Sequence, residues 1–376
     1  MLIPSVLLMS VCFLAQTAWH WDPHYPISTP QHRWNPNVLL IIVLLTLLIG
    51  LRTDYNDTTA YIAGFRDAPP LSDLLSSTAN LSPLKNPLFE LYTSLFRTLT
   101  ENYHLYFMAS GLFISGSMVS LFRRLSEDEP ASFSLNLFTY LTLGTYFFSL
   151  AAMKQTIAMA FLALAIPPLL EKKYVRFFVL VLIAGLFHTY AFLVVILPFL
   201  TGRPWRGITF IIVFGTFAVM ATFESTISSF LVYADAIGKG ISSDEVFSGA
   251  GMSLLRVGVY GVVPIISFLF RPILEPQMSR RQYLMLHMSI LSFMFMLLAA
   301  INGANMFGRM ARYFELGTVY MFPWVIRHLF NHRSVPVVTS IYAAAFLFFL
   351  AYGFWDFGQV YHSISLFQFI SELVPI

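Results

Sequence analysis

Apolar runs long enough to cross a bilayer recur along the whole of this chain, and no other feature narrows its fold as far. They fall near 1–19, 36–51, 104–122, 132–151, 155–170, 174–188, 189–202, 206–223, 253–270, 283–300, 312–328 and 335–355. A crossing helix needs about 20 such residues at about 1.5 Å each, and hydrocarbon accepts only backbone whose polar groups are paired internally. The expectation is an all-α polytopic membrane protein, a single integral domain over 1–376 with about twelve transmembrane helices. Only 11% of residues are charged, against about 25% in soluble domains. The net charge of +3 is dispersed, with no Lys/Arg run, which argues against nucleic acid. Cys12 is the single cysteine, so neither a disulfide framework nor a cysteine metal site is expected. The first run lacks a positive n-region and reads as a retained span rather than a secretion signal.

Charge sets the orientation. With the N-terminus outside, Arg33, Arg123, Arg124, Lys172, Lys173, Arg176, Arg203, Arg206, Arg271, Arg280, Arg281, Arg327 and Arg333 all fall in the cytoplasm, as the positive-inside rule requires. Residues 174–202 are long for one helix and short for two; basic residues at both ends favour a hairpin with His188 at its tip. Two outer segments follow, 51–103 and 224–252, the first too long for a plain connector. Within it PLFELYTSLFRTLTEN sets Leu88, Leu91, Tyr92, Leu95, Phe96 and Leu99 on one side and Glu90, Ser94, Arg97 and Glu101 on the other. That spacing predicts an amphipathic helix near 88–101 lying at the outer interface.

Nine basic residues stay outside: Arg52, Arg66, Lys85, Arg97, Lys154, Lys239, Arg256, Arg309 and Arg312. Several abut apolar runs, where a cation costs a few kcal/mol unless paired or snorkelling. Arg52, in GLRTDYNDTTAY, has Asp54 and Asp57 nearby; Lys154 has no acid in local reach; Arg309 and Arg312 have only Glu315. Arginine forks and a lysine point charge suit phosphate oxygens, so a lipid pyrophosphate at the outer leaflet fits them. Each residue also has an ordinary structural reading: a salt-bridged helix end for Arg52, snorkelling for Lys154, headgroup contact for Arg309 and Arg312, a packing role for His188, a solvated face for Glu90. Recurrence on one side of the membrane weighs more than any single member. His20, His24 and His32 are separated by prolines that deny them a helical face, and Arg52 competes with any cation for Asp54 and Asp57, so no metal site is expected.

These residues resemble a known family. GLRTDYNDTTAYIAGF is similar to the GxRxxxGxDxxxYxxxF signature after the second span of EpsG-type bacterial exopolysaccharide polymerases, which overlap with Wzy-like O-antigen polymerases. The likeness continues in order through NPLFELYTSLF, MKQTIAMAFLALA, LIAGLFHTYAFLVVILPF and RMARYFELG. Lys154 stands where the family usually has arginine, Asn56 replaces a glycine, Tyr190 replaces a small residue, and the tail FWDFGQVYHSISLFQFISELVPI has no counterpart in the motifs. The resemblance implies a GT-C-like architecture in the bacterial cytoplasmic membrane, its site facing the exterior, and no cofactor. It implies transfer of a glycan from undecaprenyl pyrophosphate to the terminal sugar of a second lipid-linked repeat unit, with a chain-length regulator as a further partner. Arg52, Lys154, Arg309 and Arg312 would contact the pyrophosphate; Asp54, Asp57, Glu90 or His188 would supply the base, Asp57 ranked first for its nearness to Arg52; Tyr61, Tyr92 and Gln155 would meet sugar. An O-antigen ligase, or a flippase for lipid-linked oligosaccharides, is the rival reading. Repeats and mid-membrane charges expected of transporters are not evident.

Overall fold

The computed structural model describes residues 2–20, 35–76, 86–236, 251–330, 334–353 and 357–373. Helices dominate: α1 (Leu2–His20), α2 (Pro36–Gly50), α3 (Thr58–Asp67), α4 (Leu71–Ser76), α5 (Pro87–Leu99), α6 (Tyr103–Leu125), α7 (Ser132–Thr142), α8 (Phe148–Ala151), α9 (Met153–Leu170) and α10 (Tyr174–Phe187). A 3₁₀ helix (Thr189–Leu200) leads to α11 (Gly207–Ala221), α12 (Phe223–Ala236), α13 (Leu254–Leu269), α14 (Arg271–Leu274), α15 (Arg280–Ile301), α16 (Ala304–Arg312), α17 (Glu315–Leu329), α18 (Val335–Phe348), α19 (Phe357–Val360) and α20 (Leu366–Leu373). Strands β1 (Arg52–Asp54) and β2 (His362–Ser363) pair antiparallel. Residues 21–34 and 237–250, which carry His24, His32 and much of the 224–252 segment, lie outside the described residues.

The architecture is that of an all-α membrane protein. Among the described residues, α6, α9 and α15 are each long and apolar enough to cross a membrane, and two bent pairs, α11 with α12 (97°) and α13 with the turn after it (74°), raise the number from three to five. Five further apolar helices are shorter. Local chemistry sets the ends. Asn35 caps α2 by accepting from the N–H groups of Asn37 and Val38, with Pro36 at the first helical position; Asn102 caps α6; Ser279 and Gln282 form a capping box on α15. The run 132–151 is one apolar stretch in sequence but two helices, because Gly144 turns the chain at φ 82°. The run 174–202 breaks at His188, between α10 and the 3₁₀ helix.

Contacts divide the chain into two compact units, one of residues 1–168, 175–189 and 336–376, the other of residues 169–174 and 190–335. In the first, α2 lies along α6, and Gly111 permits the approach: a Cβ there would sit 3.0 Å from Ile49. In the second, α15 is the centre, packed by α13, α16 and α17. Gly317 carries the closest crossing, where a Cβ would fall 2.3 Å from the Met285 carbonyl oxygen. Small residues of this kind let membrane helices approach backbone to backbone, and a hydrogen bond of 2.8 Å between Ser289 and Thr318 secures the same crossing.

Candidate functional site

The polar knot after α2 is first of all a helix cap. A helix leaves its last four carbonyls without intrahelical donors, a severe cost where water is scarce. Here each of Leu47, Leu48, Ile49 and Gly50 receives one donor: Leu51 N–H (2.9 Å), the Tyr361 hydroxyl (2.8 Å), Arg52 Nη1 (2.7 Å) and His104 Nδ1 (2.8 Å). Arg52 is fully buried. Its Nε donates to Thr58 Oγ1 (3.2 Å), its Nη2 reaches Met153 Sδ (3.6 Å), and its plane lies 4.1 Å from the Phe107 ring centroid. Burial pushes the guanidinium down to about 10, which leaves it charged at neutral pH, and a cation at a helix C-terminus complements the dipole. Among the described residues its hydrogen bonds reach neither Asp54 nor Asp57, which are both exposed.

From this cap the chain turns through Asn56, whose φ of 50° is the left-handed conformation that glycine or asparagine adopts most readily. That explains the asparagine at a position the resemblance assigns to glycine. Asp57 then precedes α3 without a side-chain capping bond, and α3 presents Tyr61. The Lys154 backbone N–H donates to the Tyr61 hydroxyl at 3.3 Å. Lys154 opens α9, and its Nζ stands 5.6 Å from the Phe89 ring of α5, which meets Tyr61 edge-on at 6.0 Å. Glu90, half-buried, is the next residue along α5, and buried Gln155 follows Lys154 on α9. Tyr92 bonds Ser110 at 2.8 Å and meets Phe187 edge-on at 6.1 Å, and burial pushes its phenol up to about 12, so that it stays neutral. At the start of α5, Asn86 Oδ1 accepts from the Thr189 N–H and hydroxyl at 3.0 and 3.2 Å, which fixes the residue after His188.

The first unit thus links α3, α5, α9 and the end of α10, and with them Tyr61, Glu90, Tyr92, Lys154 and His188. The predicted amphipathic helix forms as α5, but its faces differ from expectation. Ser94, assigned to the polar side, is buried with its hydroxyl on the Pro69 carbonyl, while Leu95 and Leu99 are 40% and 71% exposed.

Arg309 and Arg312 belong to the second unit. Arg309 is exposed in the last turn of α16. Arg312 is buried and paired with Glu315 at 2.8 Å, and the Tyr260 hydroxyl donates to the same carboxylate at 2.5 Å. Arg256, half-buried, hydrogen-bonds Tyr260 and adds a second arginine at the edge of this buried carboxylate and phenol. Sequence reading set Arg256 among the outer cations but had no sign of Tyr260, which sits on a different helix. Among the described residues no group of three or more His, Cys, Asp or Glu is arranged to hold a metal ion.

No curated protein and no solved structure matches the chain. The model of the EpsG family matches residues 37–370. That range runs from the start of α2 through the cap, the Lys154 helix and the arginine pair, and it includes most of the tail that the sequence motifs had left unplaced. Since it takes in most of the chain, the chain belongs to the EpsG family.

Proposed function

We propose that this protein is a polysaccharide polymerase that transfers a growing glycan from undecaprenyl pyrophosphate to the terminal sugar of another lipid-linked repeat unit. Family membership supports a polymerase-type role in polysaccharide biosynthesis. The observation that carries the reading to a site is Lys154. A lysine at the start of a helix stands against the dipole, yet that same helix end is where anions bind, and the charge is half-buried beside Tyr61 and Phe89.

In this reading Lys154 stabilises the charge that develops on the departing pyrophosphate. Glu90, one residue from the ring that Lys154 covers, takes the proton of the attacking hydroxyl, ahead of Asp57, Asp54 and His188. Asp57 yields first place because Arg52 is turned inward to the cap. Tyr61, Tyr92 and Gln155 line the sugar side. In the second unit, Arg309 and Arg312 are the proposed phosphate contacts. An apolar cleft of about 450 Å³ between α2, α5 and α6, with Phe96, Leu99, Leu105 and Met108 in its wall, suits the hydrocarbon of the carrier. The twelve-span count, a GT-C-like architecture, an exterior-facing site in the cytoplasmic membrane and a chain-length regulator as partner complete the proposal.

The test is turnover by the purified full chain in detergent with a synthetic undecaprenyl pyrophosphate-linked repeat unit. A ladder of products at one-repeat intervals is expected. Transfer of a single unit to a lipid A core acceptor, with no ladder, would identify a ligase instead.

A further inference from the structure

The tail has no role in the chemistry described so far, yet it holds one carbonyl in the last turn of α2 and that of Leu51 just after it. Tyr361 donates to Leu48 O at 2.8 Å and is itself hydrogen-bonded by the Ser363 side chain. The Ile364 N–H donates to Leu51 O at 3.0 Å. Between these contacts, β2 pairs with β1 so that Arg52 faces Ser363 and Asp54 faces His362. Aromatic packing closes the same junction: Tyr55 meets Phe357 and Tyr361 at 5.4 and 6.3 Å, and Phe357 lies 5.5 Å from Phe147. Further on, α20 is latched to the start of α6, with Phe369 edge-on to His104 at 6.1 Å and Glu372 accepting from Asn102 Nδ2 at 3.4 Å.

We propose that residues 357–373 form a positioning strap, in which Tyr361 and the β2 backbone hold the α2 cap and β1 in register and so fix the path of the chain into α3. Its consequence for catalysis rests on the function proposed above, because α3 brings the Tyr61 hydroxyl to the Lys154 backbone. Tyr361 is a positioning residue here, acting through Leu48, Arg52 and Tyr61 rather than on substrate. A strand this short has little pairing of its own to spare, so the loss of one backbone donor is felt along the whole junction.

The experiment pairs Ile364→Pro, which deletes the N–H that reaches Leu51, with Tyr361→Phe, which deletes only the hydroxyl; Ile364→Val is the control. Hydrogen exchange of the purified full chain is followed at residues 51–58 and at 280–301 together with polymerisation kinetics. Ile364→Pro is expected to lose protection at 51–58 while 280–301 is unchanged, and kcat is expected to fall by about 100-fold, as small misplacements of reacting groups do, with KM for the donor within a few-fold. Tyr361→Phe should move both readouts the same way by less. Should Ile364→Pro lose protection everywhere, Tyr361→Phe decides. Unchanged protection at 51–58 in Tyr361→Phe and in folded Ile364→Pro would overturn the strap; lost protection with unchanged kcat would overturn its positioning role. If the wild type makes no polymer, the polymerase reading fails, and the exchange result still decides whether the tail holds the cap.

Discussion

Lys154→Gln is expected to slow polymerisation by roughly 30- to 1,000-fold, the loss of about 2–4 kcal/mol of transition-state stabilisation that one well-placed donor to a leaving anion supplies. Glutamine keeps the polarity and most of the length of the side chain but not the charge, so the effect is chiefly electrostatic. Stability should change by about 1 kcal/mol or less, far below the change in the barrier. A lysine at the positive end of α9 opposes the dipole by about 0.3–1 kcal/mol, which offsets what its contact with the Phe89 ring contributes. Activity lost at undiminished stability is the signature of a residue kept for function. Lys154→Arg, which restores the residue usual in the resemblance, should keep most of the turnover. The check is product-ladder rate and thermal midpoint on the same purified samples.

The opposite pattern is expected at Arg52. Arg52→Met leaves a side chain of comparable volume but removes every donor, so Ile49 O and Thr58 Oγ1 lose partners they hold at 2.7 and 3.2 Å. Unpairing a buried acceptor costs about 1–3 kcal/mol, and hydrogen bonds from charged groups are worth about 1.5–3 kcal/mol each. A loss of about 3 kcal/mol or more is therefore expected, partly offset because the buried charge also disappears. Arg52→Lys should recover only part of it, since one ammonium on a flexible stem cannot span Ile49 O, Thr58 and Met153 as the fork does. Polymer output should fall in both variants, but together with stability. Denaturant unfolding in detergent, followed by intrinsic fluorescence, separates this case from Lys154.

That contrast marks what the sequence could and could not convey. Hydropathy located the helices at 2–20, 36–50, 103–125, 153–170 and 280–301 to within a few residues, because a run of that length in hydrocarbon has no alternative to helix. Apart from the break at His188, it did not reveal the interruptions. The turn at Gly144 depends on one backbone angle, and the stretch near 312–328 starts early as α16 and is broken between Arg312 and Glu315. Along α5 the period was legible and the environment was not: Leu95 and Leu99 face outward because lipid can cover a leucine as well as protein does, whereas Thr93 and Ser94, though polar, can be buried once their hydroxyls find carbonyls on Phe89 and Pro69.

The placement of the candidate residues was legible to a similar degree. Residue types and their order pointed to a polar cluster after α2, and Tyr61, Glu90, Tyr92, Lys154 and His188 do lie on linked elements of one unit. The salt-bridged helix end that was the ordinary reading of Arg52 came from neighbours in sequence, Asp54 and Asp57. Its setting is made by residues far along the chain: His104 caps a carbonyl 54 residues away, Met153 lies 101 residues from Arg52, and Tyr361 is 313 residues from Leu48. No local spacing carries such contacts, and that is also why the tail looked unattached.

The claim that matters most is that the α3, α5 and α9 junction performs the transfer, with Glu90 as base. Single-turnover polymerisation by the purified protein, with wild type, Glu90→Gln and Asp57→Asn compared at matched stability and saturating donor, addresses it most directly. General-base catalysis is worth about 100- to 10,000-fold, so Glu90→Gln should fall by about 100-fold or more while Asp57→Asn stays within a few-fold of wild type. A Glu90→Gln protein that elongates at the wild-type rate would contradict the account.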